Sequence, residues 1–273
     1  MAMTTDTPTA TLSEIVVYPI KSLAGVSIST TEVQPRGLTH DRRWMVVNAA
    51  GARQSQREHP IMARASVHLE SAALRVAAPG LQPLRLPFPG ADGGHMTVTI
   101  GRTTFSAPKV SRECDAWFSQ LLGEPAHLVH MDEATRRPVN PAYALNHDEV
   151  SYADGYPFML VGEESLADLN ARMIEALPMN RFRPNLIIRG AGPFAEDGWK
   201  RIRIGRAEFA IVKPCDRCVL TTIDQEQGVR RGPEPLRTLA RYRQVDQDVY
   251  FGQYMLLTGV VCDISVGDGV LVN

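Results

Sequence analysis

Ile202-Arg203-Ile204-Gly205-Arg206-Ala207-Glu208-Phe209-Ala210-Ile211-Val212-Lys213-Pro214-Cys215-Asp216-Arg217-Cys218-Val219-Leu220-Thr221-Thr222-Ile223-Asp224 joins two signals in one run. Its first part alternates apolar and polar residues on both sides of Gly205-Arg206. That pattern predicts a β-hairpin with a type II′ turn, because glycine takes positive φ at little cost. Thr97 to Ile100, Gly101-Arg102 and Thr103 to Phe105 repeat the signature. Its second part sets Cys215 and Cys218 three residues apart with Arg217 between them. A chain whose clearest local signals are hairpins belongs to a mainly β fold class.

Outward from this run, most remaining elements also read as strands. Ile15-Val16-Val17-Tyr18 is a short apolar run closed by Pro19, Val26 to Val33 alternates, and Trp44-Met45-Val46-Val47 ends at the Gly51 turn. Tyr254 to Val272 reads as two or three strands broken at Gly259 and at Val266 to Gly269. Three helices are expected. Ser111 caps one that buries Trp117, Phe118, Leu121 and Leu122 and stops at Gly123. A second runs from about Glu164 to Leu177, with Leu166, Leu169, Met173, Ile174 and Leu177 on one face. A third, short one lies around Pro235 to Tyr242. Ala78 to Gly94 is rich in glycine and proline and reads as loop, Met131 to Asn146 as a linker, and Val219 to Ile223, being β-branched, as strand.

Length and composition set the class. At 273 residues, one large or two modest domains are expected. The division is a tail over 1–10, a first β-domain over 11–130 and a second over 131–273. Lys plus Arg number 29 against 30 Asp plus Glu, a balance that argues against a nucleic-acid or membrane-surface protein. No apolar run approaches the ~20 residues of a membrane span, and the N-terminus has no apolar core of a signal peptide. Four cysteines, unevenly spaced, read as thiols of a reducing compartment, which points to the cytoplasm.

The Cys215/Cys218 pair carries the most chemistry. A zinc knuckle brings a second Cys or His pair, and none of the seven histidines lies at ligand spacing from this one. A thioredoxin-type pair sets its first cysteine at a helix N-terminus, at odds with the strand-like residues that follow. Two readings stay open: buried structural thiols on a core strand, or one thiolate ligand to a soft metal with Arg217 gripping an anionic group. An extended backbone would point Cys215 and Arg217 one way and Asp216 and Cys218 the other. No nucleotide-type glycine loop or Gly-x-Ser-x-Gly elbow occurs.

The run Cys-x-Arg-Cys-x-x-Thr-Thr-x-Asp resembles the signature of MOSC-domain proteins, in the branch that contains the mitochondrial amidoxime-reducing component. Tyr18-Pro19-Ile20-Lys21-Ser22, Asp41-Arg42-Arg43-Trp44, Ser55-Gln56-Arg57, Pro157-Phe158, Phe182-Arg183-Pro184-Asn185, Ala195-Glu196-Asp197-Gly198-Trp199 and Phe251-Gly252-Gln253-Tyr254 follow the family's pattern in order. The resemblance implies a barrel-like MOSC domain preceded by a smaller β-domain. It also implies a molybdenum cofactor, a pterin dithiolene ending in a phosphate.

By that resemblance Cys218 is the metal ligand and Cys215 a neighbour. Lys21, Ser22, Arg42, Arg183 and Arg217 match phosphate and cofactor contacts, and Asn185 and Tyr254 match pocket positions. Asp154-Gly155-Tyr156 departs from the family's small hydroxyl residues. Backbone amides at Gly155 and Tyr156 remain available to phosphate, and Asp154 is a candidate proton relay.

The implied activity is reduction of N-hydroxylated compounds such as amidoximes, hydroxylamines and hydroxylaminopurines. Electrons would come from an external ferredoxin, flavoprotein or cytochrome, since the sequence holds no further cysteine cluster for iron and sulfur. A cofactor carrier or sulfur-transfer module without turnover is the alternative from another class.

Overall fold

The computed structural model describes residues 7–88 and 93–272. Seven strands, numbered here in chain order, close into a barrel: β1 (Ala10–Val17), β2 (Phe158–Gly162), β3 (Leu186–Arg189), β4 (Arg201–Ile204), β5 (Ala207–Asp216), β6 (Asp248–Leu257) and β7 (Gly269–Val272). The order around the barrel is β2-β3-β1-β7-β4-β5-β6, and β6 pairs back onto β2. Only β2 and β3 run parallel. The chain's first strand therefore sits between two strands from its second half, β3 and β7.

The barrel interior is filled from inward-facing positions: Leu12, Ile15 and Val17 of β1 meet Leu160, Ile188, Phe209 and Met255. A simple alternation would not point Leu12, Ile15 and Val17 the same way. The register shift between Leu12 and Glu14 supplies the extra residue that restores the inward phase. The 202–212 hairpin forms as read, with Ile204 opposite Ala207 across Gly205-Arg206, and so does the 97–105 hairpin. In each pair only the glycine takes positive φ, 56° at Gly205 and 60° at Gly101.

Beside the barrel, Trp44–Asn48 pairs with Ala126–His130. That ribbon is apolar on both faces. Trp44 and Val46 pack with Trp117, Phe118 and Leu128, while Met45 and Val47 pack with Val98, Val129 and Tyr152. Helix α1 (Arg112–Leu122) begins and ends as expected: Ser111 Oγ accepts from the Cys114 amide, and Gly123 takes φ 74°.

Several expectations are corrected. The second helix, α2 (Glu163–Ala171), stops well before Leu177. Asn170 is the cause: its side chain bonds both the amide and the carbonyl of Leu177, so the chain loops back, and Ile174 lies fully exposed. Within the stretch read as loop, Leu84–Pro87 forms a strand against Ala73–Ala77, because Leu84 and Leu86 reach the core; residues 89–92 lie outside the described residues. The expected strand Val219–Ile223 is a 3₁₀ turn over Val219–Thr222, since Thr221 and Thr222 hydroxyls bond back to the carbonyls of Cys218 and Val219. Of the expected tail, residues 1–6 lie outside the described residues and Ala10 already begins β1. The third helix, α3 (Leu236–Ala240), follows Pro235 as read.

Gly252 lies in β6 at φ 81°, and a Cβ there would stand 2.7 Å from Val161 Cγ2 and 2.8 Å from the Leu160 carbonyl oxygen. Gly252→Ala should therefore cost more than ~1 kcal/mol from backbone strain alone, with steric displacement of β2 in addition. Ser111→Ala should cost about 1 kcal/mol through the lost cap. Urea unfolding of the two variants should rank them in that order.

Candidate functional site

One cleft collects the chain's sharpest sequence features, and three segments build it. The first runs from β1 through Tyr18 to Ser22. Its backbone is zipped to residues 42–44, with the Arg42 amide donating to the Tyr18 carbonyl and the Lys21 amide to the Trp44 carbonyl. The second, 182–185, is tied to β1 and β2: the Val16 amide donates to the Asn185 carbonyl and the Asn185 amide to the Met159 carbonyl. The third leaves β5 through Asp216, Arg217 and Cys218. Register shifts at Ile211/Lys213 and Pro214/Asp216 break the simple alternation there. As a result Asp216, Arg217 and Cys218 all line the cleft while Cys215 is buried, which corrects the expected pairing of faces.

The cleft holds six cationic side chains (Lys21, Arg42, Arg53, Arg57, Arg183 and Arg217) against two carboxylates, Asp154 and Asp216. Most of these cations are held by specific contacts. Arg42 donates to both oxygens of the fully buried Asp41 at 2.8 and 2.7 Å. Asp41 also accepts from the Tyr18 amide. Arg42 and Arg183 both lie on the Tyr18 ring, 4.1 and 4.3 Å from its centroid. Arg217 donates to Cys215 Sγ at 2.8 Å and to the Phe182 carbonyl at 2.6 Å. Arg57 donates to Cys218 Sγ at 3.1 Å.

Lys21 is 6% exposed and paired with Asp154, whose side chain is 63% exposed at the mouth. Burial pulls the Lys21 ammonium down to about 8, with Asp154 opposing the shift. The same ammonium holds the Asp154 carboxyl well below the usual carboxylate range. Burial also lowers Arg183 to about 10 and raises the Cys215 thiol, and the Tyr254 side chain is hydrogen-bonded to that sulfur. Tyr254 stacks on Tyr156, ring centroids 4.6 Å apart.

Backbone strain concentrates here. Ser22, Arg42 and Arg183 take φ of 70°, 49° and 56°, values that L-residues rarely adopt. Such conformations persist because the zipped segments around them leave no relaxed alternative.

The residues singled out by sequence mostly meet. Lys21, Ser22, Arg42, Asp154, Tyr156, Arg183, Asn185, Arg217, Cys218 and Tyr254 all line this cleft. Gly155 lies between two of these lining residues, and a Cβ there would meet nothing within 4 Å. Sequence reasoning missed Arg53 as a lining residue, and Arg57 entered only through the Ser55-Gln56-Arg57 pattern. A lone arginine far along the chain gives no signal of which cavity it will face. Among the described residues, no three His, Cys, Asp or Glu side chains gather as a metal site.

The MOSC N-terminal beta barrel domain matches residues 9–125 and the MOSC domain residues 147–271. The chain is 35% identical to mitochondrial amidoxime reducing component 2 of Rattus norvegicus, over 95% of its own length and 82% of that protein. It is 34% identical to mitochondrial amidoxime-reducing component 1 of Homo sapiens over the same shares. It is also 32% identical to a molybdenum cofactor sulfurase of Arabidopsis thaliana, across 96% of this chain and 35% of that protein.

A folded-state value near 8 for Lys21, below the ordinary 10.5, means that the unfolded chain holds this proton to higher pH. Through this group, stability is lowest below pH 8 and rises between about 8 and 10.5. The sequence has four lysines, so a ¹³Cε NMR titration can resolve Lys21. Its midpoint should lie near 8 and move lower in Asp154→Asn, where the neighbouring charge is gone.

Proposed function

The chain belongs to the MOSC family, and from that premise we propose that it is a molybdenum-cofactor-dependent reductase of N-hydroxylated compounds. The observation that carries this reading is a half-buried thiol, Cys218, in a cleft with a large surplus of cationic donors. A surplus of that kind suits an anionic group that also needs one thiolate. The buried Arg217 Nε has no partner among the described residues, so the donor set is unfilled by the protein itself. The cluster of donors thus fits a pterin dithiolene with a terminal phosphate.

In this reading Lys21, Ser22, Arg42 and Arg183 hold the phosphate, Arg217, Asn185 and Tyr254 complete the pocket, and Cys218 ligates the metal. When bound, the cofactor supplies the two-electron redox couple that the side chains lack. The net reaction takes an N-hydroxylated substrate, two electrons and two protons to the reduced nitrogen compound and water. Asp154 is the proton relay in this reading, its side chain exposed at the mouth beside the Lys21 ammonium.

The relatives' names support small N-hydroxylated substrates such as amidoximes, with hydroxylamines and hydroxylaminopurines as close chemical kin. An external electron-transfer protein (a ferredoxin, flavoprotein or cytochrome) is part of the proposal. So is a reducing, cytoplasmic setting, on four cysteines that form no disulfide among the described residues. No helix among the described residues is long and apolar enough to cross a membrane. The match to a molybdenum cofactor sulfurase favours one second reading, a cofactor carrier or sulfur-transfer module without turnover.

Protein made in a cofactor-competent host should contain near-stoichiometric molybdenum by inductively coupled plasma mass spectrometry. Cys218→Ser should lose it with the fold intact by circular dichroism. Chemically reduced wild type should convert benzamidoxime to benzamidine. Metal without turnover would favour the carrier, and no metal in loaded, well-folded wild type would sink both readings.

A further inference from the structure

Arg57 has no assigned role in the reading above, yet the structure builds a turn around it. Ser55 and Gln56 are 2% and 0% exposed. Ser55 Oγ accepts from the Arg57 amide, the Ser55 carbonyl accepts from the amides of Glu58 and His59, and Arg230 donates to the Arg57 carbonyl at 2.6 Å. Gln56 Nε2 donates to the Ser22 carbonyl at 2.8 Å and is paired with Gln225. One rigid turn therefore touches the phosphate-side loop through Gln56 and the Cys218 sulfur through Arg57. Lys21 and Arg42 are paired with carboxylates, whereas the Arg57 guanidinium directs its hydrogen bond to sulfur at 3.1 Å and leaves Nε buried without a partner.

We infer that Arg57 is a positioning residue that acts through the Cys218 sulfur, orienting it and drawing electron density from it. A charge-assisted N–H donor to a metal-bound thiolate weakens donation from sulfur to metal. It thereby favours the more electron-rich state of the metal and raises the reduction potential. The same contact orients the sulfur toward the cleft, since the donor comes from a turn that cannot swing away without breaking the Arg230 and Gln56 bonds. The inference rests on the proposed role of Cys218 as metal ligand, and its test separates the two.

The variants are Arg57→Met, close in volume but without charge or donor, Arg57→Lys, which keeps a charge and a donor, and Cys218→Ser. In cofactor-free protein, alkylation of Cys218 by neutral iodoacetamide, mapped by mass spectrometry, should slow about tenfold in Arg57→Met and be partly restored in Arg57→Lys. In loaded protein, Arg57→Met should keep its molybdenum and show a lower midpoint potential in a redox titration followed by electron paramagnetic resonance. Arg57→Lys should fall between that value and wild type. Equal alkylation rates, or an unchanged potential, in Arg57→Met would overturn the inference. Loss of molybdenum from folded Arg57→Met would overturn it too, making Arg57 a direct cofactor contact. Molybdenum retained by Cys218→Ser would remove the ligand role itself, while the alkylation arm would still decide whether Arg57 acts on the sulfur.

Discussion

Six cationic side chains share one cleft with two carboxylates, and the fold has to hold them there against their mutual repulsion. Water would screen such charges on an open surface, but Lys21 and Arg183 are buried. The protein offsets the cost with neutral and π partners more than with acids. Arg42 and Arg183 share the Tyr18 ring, Arg217 leans on the Phe182 carbonyl and Cys215 sulfur, and Arg137 nearby donates to two main-chain carbonyls. Asp41 is the one fully buried acid in the arrangement, and it serves the Tyr18 backbone as well as Arg42. An anionic ligand then meets donors that are already oriented.

Orientation comes from segments far apart in sequence. β1 is inserted between β3 and β7, so the loop that follows it, with Lys21 and Ser22, opens beside Arg183 and Cys218. The apolar ribbon at Trp44–Asn48 anchors the other side, and Arg42 lies in the turn just before it. Positive φ at Ser22, Arg42 and Arg183 is the strain of turning three short segments into one cavity, and the surrounding zipped backbone sustains it. The cleft therefore belongs to both halves of the chain.

Much of this arrangement is legible in the order of the residues. The two Gly-Arg hairpins, the Ser111 cap and the Gly123 stop are local rules that the fold leaves alone, and the ordered family motifs carry most of the lining residues. Expectation and fold part where a side chain overrides local propensity. Asn170 ends a helix whose apolar spacing runs on to Leu177, and threonine back-bonding turns a β-branched run after Cys218 into a 3₁₀ turn.

Residue periodicity, backbone preference and motif are enough to establish the mainly β class, the hairpin turns and the capped helix, and to single out the Cys218 thiol. Packing in three dimensions settles the rest: that the barrel closes through β1, that Arg53 and Arg57 join the site, and that Cys218 accepts a hydrogen bond from Arg57. Barrel closure and that sulfur contact join residues more than 150 positions apart. Long-range pairings of this kind are selected by the packing and charge of the whole fold, and no local pattern in the chain encodes which distant partner will arrive.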